Sequence, residues 1–200
     1  MVFVTVEDGK IKETGPRPRW FTDDKRPVSD EYLKSVGRLP LVNVIPNHDA
    51  RSQQVIPPSK DEWVIEEGRV LAYHTIRNIP LEELKDKLHT ANTQKRWSVM
   101  TGGVTLPSGV RVGTTIDDQN RIAGIAANAQ HAGLKDTDEV DFKAMDGWVR
   151  VTIKNIKAMA GAVGRHIQSC YSAERQHYEA IEALTEREDA IAYDLTKGWP

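Results

Sequence analysis

Proline limits most strongly what the first third of this chain can fold into, because seven of the ten prolines fall within residues 15–58. Proline fixes φ and removes a backbone N–H, so this density excludes long regular elements. We therefore expect an extended arm there, with one strand near residues 41–45 and a helical turn near residues 30–36. The arm carries Trp20 and Phe21, which are uncommon in flexible linkers. Two interpretations stay open: the arm lies on a partner subunit, or it packs as an ordered loop on its own domain.

Four segments have the pattern of β-hairpins, in which apolar residues alternate on both sides of a tight turn. The turns are expected at Asp8-Gly9, Glu67-Gly68, Pro107-Ser108-Gly109 and Asp146-Gly147. The chain is therefore expected to contain several short antiparallel strands.

Residues 100–120 allow a different interpretation, because several glycines precede a helix start and could cradle a phosphate. The spacing of the glycines argues against a phosphate site, since neither G-x-x-x-x-G-K-[ST] nor G-x-G-x-x-G is present. Apolar residues instead alternate on either side of the Pro-Ser-Gly turn, at Val104, Leu106, Val110 and Val112. We interpret the stretch as a hairpin that leads into a helix capped by Thr115 or Asp117.

A helix is predicted over residues 80–99, with Pro80 at its start. Its leucines, Leu81, Leu84 and Leu88, form one narrow apolar stripe. A helix of this kind either packs loosely on a body or pairs with its own copies in a coiled coil.

Two further helices follow in the sequence. The helix that begins at Thr115 or Asp117 is expected to end near Gly133. The last helix is expected over residues 153–188, where an apolar period includes Cys170 or Tyr171 and then Tyr178.

These elements predict an α+β fold of short β-hairpins and a connecting amphipathic helix, followed by a small C-terminal domain. That domain is expected to hold two hairpins packed on two helices, the last of them long. We expect a β-rich N-terminal domain over residues 1–79, a connecting helix over residues 80–99 and the C-terminal domain over residues 100–200.

Composition narrows the classes of partner. The formal net charge is −2 with 28% charged residues of mixed sign, so no nucleic-acid partner is expected. The single cysteine, Cys170, excludes an internal disulfide. We find no pattern of a signal peptide and no apolar run of membrane-spanning length, so no membrane insertion is expected.

No combination of polar residues predicts catalysis. His166 and Cys170 share a helix face, but the pair falls on the apolar stripe and core packing is the favoured interpretation. His48-Asp49 has no second pair in register, and Asp117-Asp118 is typical of a helix start. His177 is interpreted as a surface or interface residue. The sequence therefore predicts a protein that is not an enzyme, with no metal and no cofactor.

The order of elements from about Trp63 to Pro200 resembles a family of bacteriophage tail proteins with an uncharacterised C-terminal domain, of tail-fibre or tail-fibre-assembly type. The resemblance rests on KRW at 95–97, GGVTLPSGVRVGTT at 102–115, DDQNRIAGIAANA at 117–129, VDFKAMDGWVRVTI at 140–153, GAVGRHIQSCYSAE at 161–174 and DLTKGWP at 194–200. It implies a role in the virion or in its assembly and gives no catalytic residues.

Three functions follow as hypotheses. The first is a structural protein of the tail fibre or baseplate, which would be assembled in the host cytoplasm and located in the virion. The second is an assembly chaperone for the fibre, and the third is a glycan-binding tail module. The expected partners are other tail or fibre proteins and further copies of the chain, with a trimer favoured. The candidate interface residues are Trp20, Phe21, Leu81, Leu84, Leu88, Trp97 and Trp199.

Overall fold

A computed structural model describes residues 1–18 and 28–200. The chain divides into two compact units, Met1–Ile79 and Pro80–Pro200. The fold is α+β, with several small sheets and a long helix near the end, as the sequence predicts. The predicted interface residues Trp20 and Phe21 lie outside the described residues.

Unit 1 is built on a five-stranded sheet. Its elements are β1 (Val2–Glu7), β2 (Lys10–Pro16), α1 (Asp30–Ser35), β3 (Arg38–Val44), β4 (Gln53–Ile56), a short 3-10 helix (Lys60–Glu62), β5 (Val64–Glu66), β6 (Arg69–Tyr73) and β7 (Thr75–Asn78). The strand order is β2-β1-β3-β6-β5, and β4 and β7 pair separately. The neighbours are antiparallel except for β3 and β6, which are parallel.

Both hairpins predicted in this unit are confirmed. Asp8 and Gly9 connect β1 to β2 with φ of 52° and 70°, and two positive φ values suit the right-handed twist of a two-residue hairpin. Glu67 and Gly68 lie between β5 and β6, which pair antiparallel.

The segment predicted as an arm over residues 15–58 packs within unit 1 in its described part, and it contains the helical turn predicted near residues 30–36 and the strand predicted near residues 41–45. That range contributes α1, whose Leu33 packs against Phe3 and Val28, and the central strand β3. Pro40 is tolerated in β3 because residues 38–40 pair with β1, whereas residues 41–44 pair with β6. Pro40, which lacks a backbone N–H, therefore lies at the position where the pairing partner of β3 changes from β1 to β6. The alternative interpretation, packing on its own domain, fits this part of the chain.

Unit 2 combines two hairpins with four helices in its described residues, all of which lie in 80–200. Its elements are α2 (Leu81–Thr101), β8 (Val104–Thr105), β9 (Arg111–Val112), α3 (Ile116–Asn128), β10 (Glu139–Ala144), β11 (Gly147–Thr152), α4 (Ile153–Glu182) and α5 (Arg187–Ala192). The hairpins β8–β9 and β10–β11 pack with α3 and the first half of α4 around Phe142, Ile122 and Ile156.

The glycine-rich stretch is a hairpin followed by a capped helix, as predicted. The amide of Leu106 donates to the carbonyl of Val110 across the turn (2.9 Å). Thr115 caps α3: its hydroxyl oxygen accepts from the Asp118 amide, and the Asp118 carboxylate accepts in return from the Thr115 amide. The amide of Gly103, which a phosphate cradle would use, donates to Thr114 Oγ1 instead.

Two predicted helix ends differ from the structure. α3 ends at Asn128, and Gly133 lies in the turn beyond it with φ of 71°. The last predicted helix is interrupted after Glu182, so that α5 is a separate element.

We predict that Gly37→Ala destabilises unit 1. Gly37 has φ of 72°, and a Cβ there would overlap the carbonyl oxygen of Val6, whose amide already donates to the Gly37 carbonyl (2.7 Å). A left-handed backbone alone costs a non-glycine residue about 1–3 kcal/mol, so we expect at least that loss in the free energy of opening. Hydrogen exchange of the β1 and β3 amides measures this free energy.

The control for this prediction is Gly15→Ala. Residue 15 lies in β2 without a positive φ, and nothing stands within 4 Å of the added Cβ. We expect a change of less than about 0.5 kcal/mol there. Equal exchange rates in the two variants would contradict the role given to Gly37.

Candidate assembly surface

Helices α2 and α4 form an antiparallel pair whose register is fixed by three polar contacts. Lys85 Nζ donates to the carbonyl of Glu182 (3.1 Å), Asn92 Nδ2 donates to the carbonyl of Glu174 (2.9 Å), and His166 Nε2 lies 3.2 Å from the carbonyl oxygen of Val99. Each step forward along α2 thus corresponds to a step backward along α4. The predicted connecting helix is therefore packed within unit 2.

The leucine stripe of α2 faces its own chain. Leu84 is buried, and Leu81 and Leu88 are half-buried. Cys170 and Ala173 are among the buried residues of α4. The structure thus shows α2 packed on the body of unit 2, which is one of the two arrangements that its narrow stripe predicts.

Polar groups also lie in the seam between the two helices. Asn92 is 2% exposed, and Arg96 Nε lies 2.8 Å from Glu174 Oε2, with both side chains mostly buried. A shift of register would bury Arg96 or Glu174 without its partner, and an uncompensated buried charge costs several kcal/mol. The polar contacts in this seam therefore raise the free energy of any other register of the helix pair.

A similar set of contacts, each with a basic residue of α2 and a tyrosine and a glutamate of α4, occurs twice along the helix pair. In the first rung, the guanidinium of Arg96 lies over the ring of Tyr171 (4.8 Å to the centroid) and pairs with Glu174. In the second rung, His89 and Tyr178 lie seven residues from Arg96 and Tyr171, and Glu182 lies eight residues from Glu174. The His89 and Tyr178 ring centroids are 4.5 Å apart, and His89 Nε2 is 2.8 Å from Glu182 Oε1. Seven residues make about two helical turns, so both rungs lie on one side of the pair.

Three aromatic residues on this side remain open to solvent: Trp97 is 50% exposed, Tyr171 48% and Tyr178 52%. Arg96 also lies 6.0 Å from the centroid of the Trp97 ring. We call Trp97, Tyr171 and Tyr178 the aromatic stripe. Tryptophan, tyrosine and arginine are the residues most enriched at the energetic centres of protein interfaces.

Of the predicted interface residues, Trp97 alone is both described and exposed. Trp199 is half-buried, stacks on His177 (5.3 Å between centroids) and donates from Nε1 to the Leu195 carbonyl. His177 also contacts the Tyr193 hydroxyl and the Lys197 carbonyl oxygen, each at 2.9 Å. His177 and Trp199 thus hold the end of the chain against α4.

Tyr171 and Tyr178 are the surface residues that the sequence interpretation missed. Both were expected on the apolar period of the last helix, with Tyr171 as an alternative to Cys170. In the structure Cys170 is buried and both tyrosines are exposed. Their spacing of seven residues, matched by His89 and Arg96 on α2, is the signal that could have found them.

The residues that the sequence offers as catalytic candidates lie in surroundings that indicate a structural role. Burial raises the pKa of the Cys170 thiol, while the positive charge of Arg96 acts in the opposite direction, so the thiol stays protonated near neutral pH. The core position predicted for Cys170 is confirmed.

The His48-Asp49 pair, of which His48 is half-buried and Asp49 is exposed, lies beside a turn. The backbone amide of Arg51 and the hydroxyl of Ser52 donate to the Asp49 carboxylate and lower its pKa. Within residues 1–18 and 28–200, no group of three or more histidine, cysteine or acidic side chains is placed to hold a metal ion. Over the same residues, no helix combines the length and apolar character needed to cross a bilayer.

Comparison with protein families gives a match within unit 2. A family model described as a domain of unknown function, DUF4376, matches residues 83–196, which is more than half of the chain. The matched range covers both hairpins of unit 2, α3, α4 and nearly all of α2. No curated protein and no solved structure matches the chain.

We predict that Asp194 titrates with a pKa of about 2. The hydroxyl of Thr196 donates to its carboxylate (2.6 Å), the Thr196 amide donates as well (2.9 Å), and Lys197 pairs with it. A lowered pKa stabilises the fold above the unfolded value of 3.8, and that contribution is lost as the pH falls toward 2. The carboxyl carbon shift in an NMR titration reports this pKa.

The variant Thr196→Val removes the largest cause of the shift and should move the pKa of Asp194 upward toward 3.8. Lys197→Gln removes a weaker contribution and should move it less. A wild-type pKa near 3.8, or no difference between the two variants, would contradict this assignment.

Proposed function

We propose a function for this chain, which belongs to the DUF4376 family. The protein is a structural component of a bacteriophage tail, in the fibre or baseplate, and it acts by protein–protein assembly without catalysis. The observation that carries the proposal is the aromatic stripe on α2 and α4. Partners are other tail or fibre proteins and further copies of the chain, with a trimer favoured. The protein is assembled in the host cytoplasm and resides in the virion tail.

The aromatic stripe has the energetic properties of an interface. Each of its three rings keeps about half of its surface in water. Covering that half removes on the order of 100 Å² of mainly apolar surface, which contributes about 2–3 kcal/mol per ring. Three such rings together supply enough free energy for specific association.

The position of the stripe favours a macromolecular partner. Its two rungs are seven residues apart, which is about 10 Å along the helices. The stripe lies on the outside of a helix pair, whereas sites for small ligands are usually concave. The polar seam holds the rings in place before binding, so that little additional ordering is needed.

The tail setting is supported by the resemblance of residues 63–200 to phage tail proteins. The segments that carry it include KRW at 95–97, with Arg96 and Trp97, and GAVGRHIQSCYSAE at 161–174, with Tyr171 and Glu174. Three contacts among these four residues define the first rung and its surroundings. The resemblance and the aromatic stripe thus involve the same part of the chain.

We expect that mass spectrometry of purified phage particles detects this protein in a fixed number of copies per tail. A structural component remains in the mature particle, whereas an assembly chaperone leaves it. Absence from mature particles, together with loss of soluble fibre when the gene is deleted, would replace the structural proposal by the chaperone.

We also predict that Trp97→Ala and Tyr171→Ala each weaken self-association in sedimentation equilibrium by at least about thirtyfold, since each ring contributes about 2–3 kcal/mol. Circular dichroism should show both variants folded. The matched control is Trp148→Ala, because Trp148 lies on β11 and is 73% exposed. A wild-type chain that stays monomeric, or an equal effect of all three variants, would contradict assembly of copies through the stripe.

A further inference from the structure

Unit 2 has a second open surface, a groove of about 530 Å³. It is bounded by the β8–β9 hairpin, by β11 and by the first half of α4. Its walls are mainly apolar: Leu106 and Val110 stand on one side, and Ala158 and Ala162 of α4 stand on the other. No residue of the aromatic stripe lines this groove.

One border of the groove is the edge of a strand. Val149, Arg150 and Val151 line it in succession. Successive side chains of a strand point to opposite faces of the sheet, so a groove lined by three in a row runs beside the strand rather than over one face. Strand β11 has one neighbour, β10, and among the described residues no other backbone group bonds to it.

The charge of the groove is positive. Arg165 lies on its rim, and within residues 1–18 and 28–200 no carboxylate lies within ion-pair distance of its guanidinium. Arg150 pairs with Asp141 at 3.4 Å, but both of these side chains are largely exposed. Among the described residues, no acidic side chain lines the groove. A carboxylate on the occupant would complement Arg165.

We propose that this groove binds an extended peptide segment of a partner protein, which adds a third strand beside β11. Alternate aliphatic side chains of the segment pack on the apolar walls, and an aspartate or glutamate at one end pairs with Arg165. A peptide backbone is the occupant that fits, because only it offers amide and carbonyl groups at the spacing of the strand edge. This inference does not rest on the aromatic stripe or on a role in a phage tail.

The test is an amide NMR titration of the full-length protein with the synthetic peptide acetyl-Thr-Val-Thr-Val-Asp-amide. We expect the amide signals of residues 149–151 and 158–165 to shift together on one binding curve. The same peptide methylated on alternate backbone nitrogens cannot complete the strand pairing, and we expect it to produce no shifts at these positions. Decanoate offers an apolar chain and a carboxylate without a peptide backbone, and we expect no saturable binding.

Charge pairing is tested with Arg165→Gln. An ion pair at the rim of a groove contributes modestly, so this variant should weaken peptide binding about two- to fivefold. Replacing the peptide's aspartate by asparagine should weaken binding to the wild-type protein equally and have no further effect on Arg165→Gln. The matched control is Arg175→Gln, which lies on the same helix outside the groove and should bind as the wild type does.

Three results would overturn the proposal. They are an absence of shifts at residues 149–151, equal binding of the methylated peptide, and saturable binding of decanoate at these amides without binding of the peptide. Equal weakening in Arg165→Gln and Arg175→Gln would remove the role of Arg165. Because the readout is local to β11 and α4, these results are distinct from those that test the aromatic stripe.

Discussion

The ion pair of Arg96 and Glu174 is the contact on which the exposed surface of unit 2 depends. A charge pair that is mostly buried contributes little net stability, but it makes other helix registers costly. Asn92 acts in the same seam by donating to the Glu174 carbonyl. With the register fixed, Tyr171 must lie under the guanidinium of Arg96 and Tyr178 beside His89. The polar interior of the helix pair therefore determines where the aromatic rings meet solvent.

Local signals predicted local structure well. The turns at Asp8-Gly9 and Asp146-Gly147, and the Thr115 cap of α3, are each specified by residues within four positions of one another. The cap also requires glycine at position 113, because a Cβ there would overlap the Asp118 carboxylate that completes the cap. Turn and cap residues select their conformation before any distant contact forms, so one sequence is enough to recognise them.

Features that depend on distant partners could not be predicted in this way. The sequence predicts a strand near residues 41–45 within an arm, but nothing in residues 38–44 reveals that β1 and β6 will each pair with one half of β3. The sequence predicts only part of the candidate surface: it indicates Trp97, whereas helical periodicity places Tyr171 and Tyr178 on an apolar face. Whether Cys170 or Tyr171 faces inward depends on the rotation of α4 against α2, and helical periodicity alone leaves that rotation undetermined.

The divided pairing of β3 affects how the sheet of unit 1 opens when the fold is destabilised. The β1–β2 and β5–β6 hairpins are each closed by their own short turns, so each is a local unit of the kind that opens separately in other proteins. Among the described residues, β3 alone is hydrogen-bonded to both hairpins: three of its residues pair with β1 and four pair with β6. The backbone hydrogen bonds that join the two hairpins are therefore made by seven residues of β3, and the packing of Val4, Leu39 and Val70 in one core cluster adds to this connection.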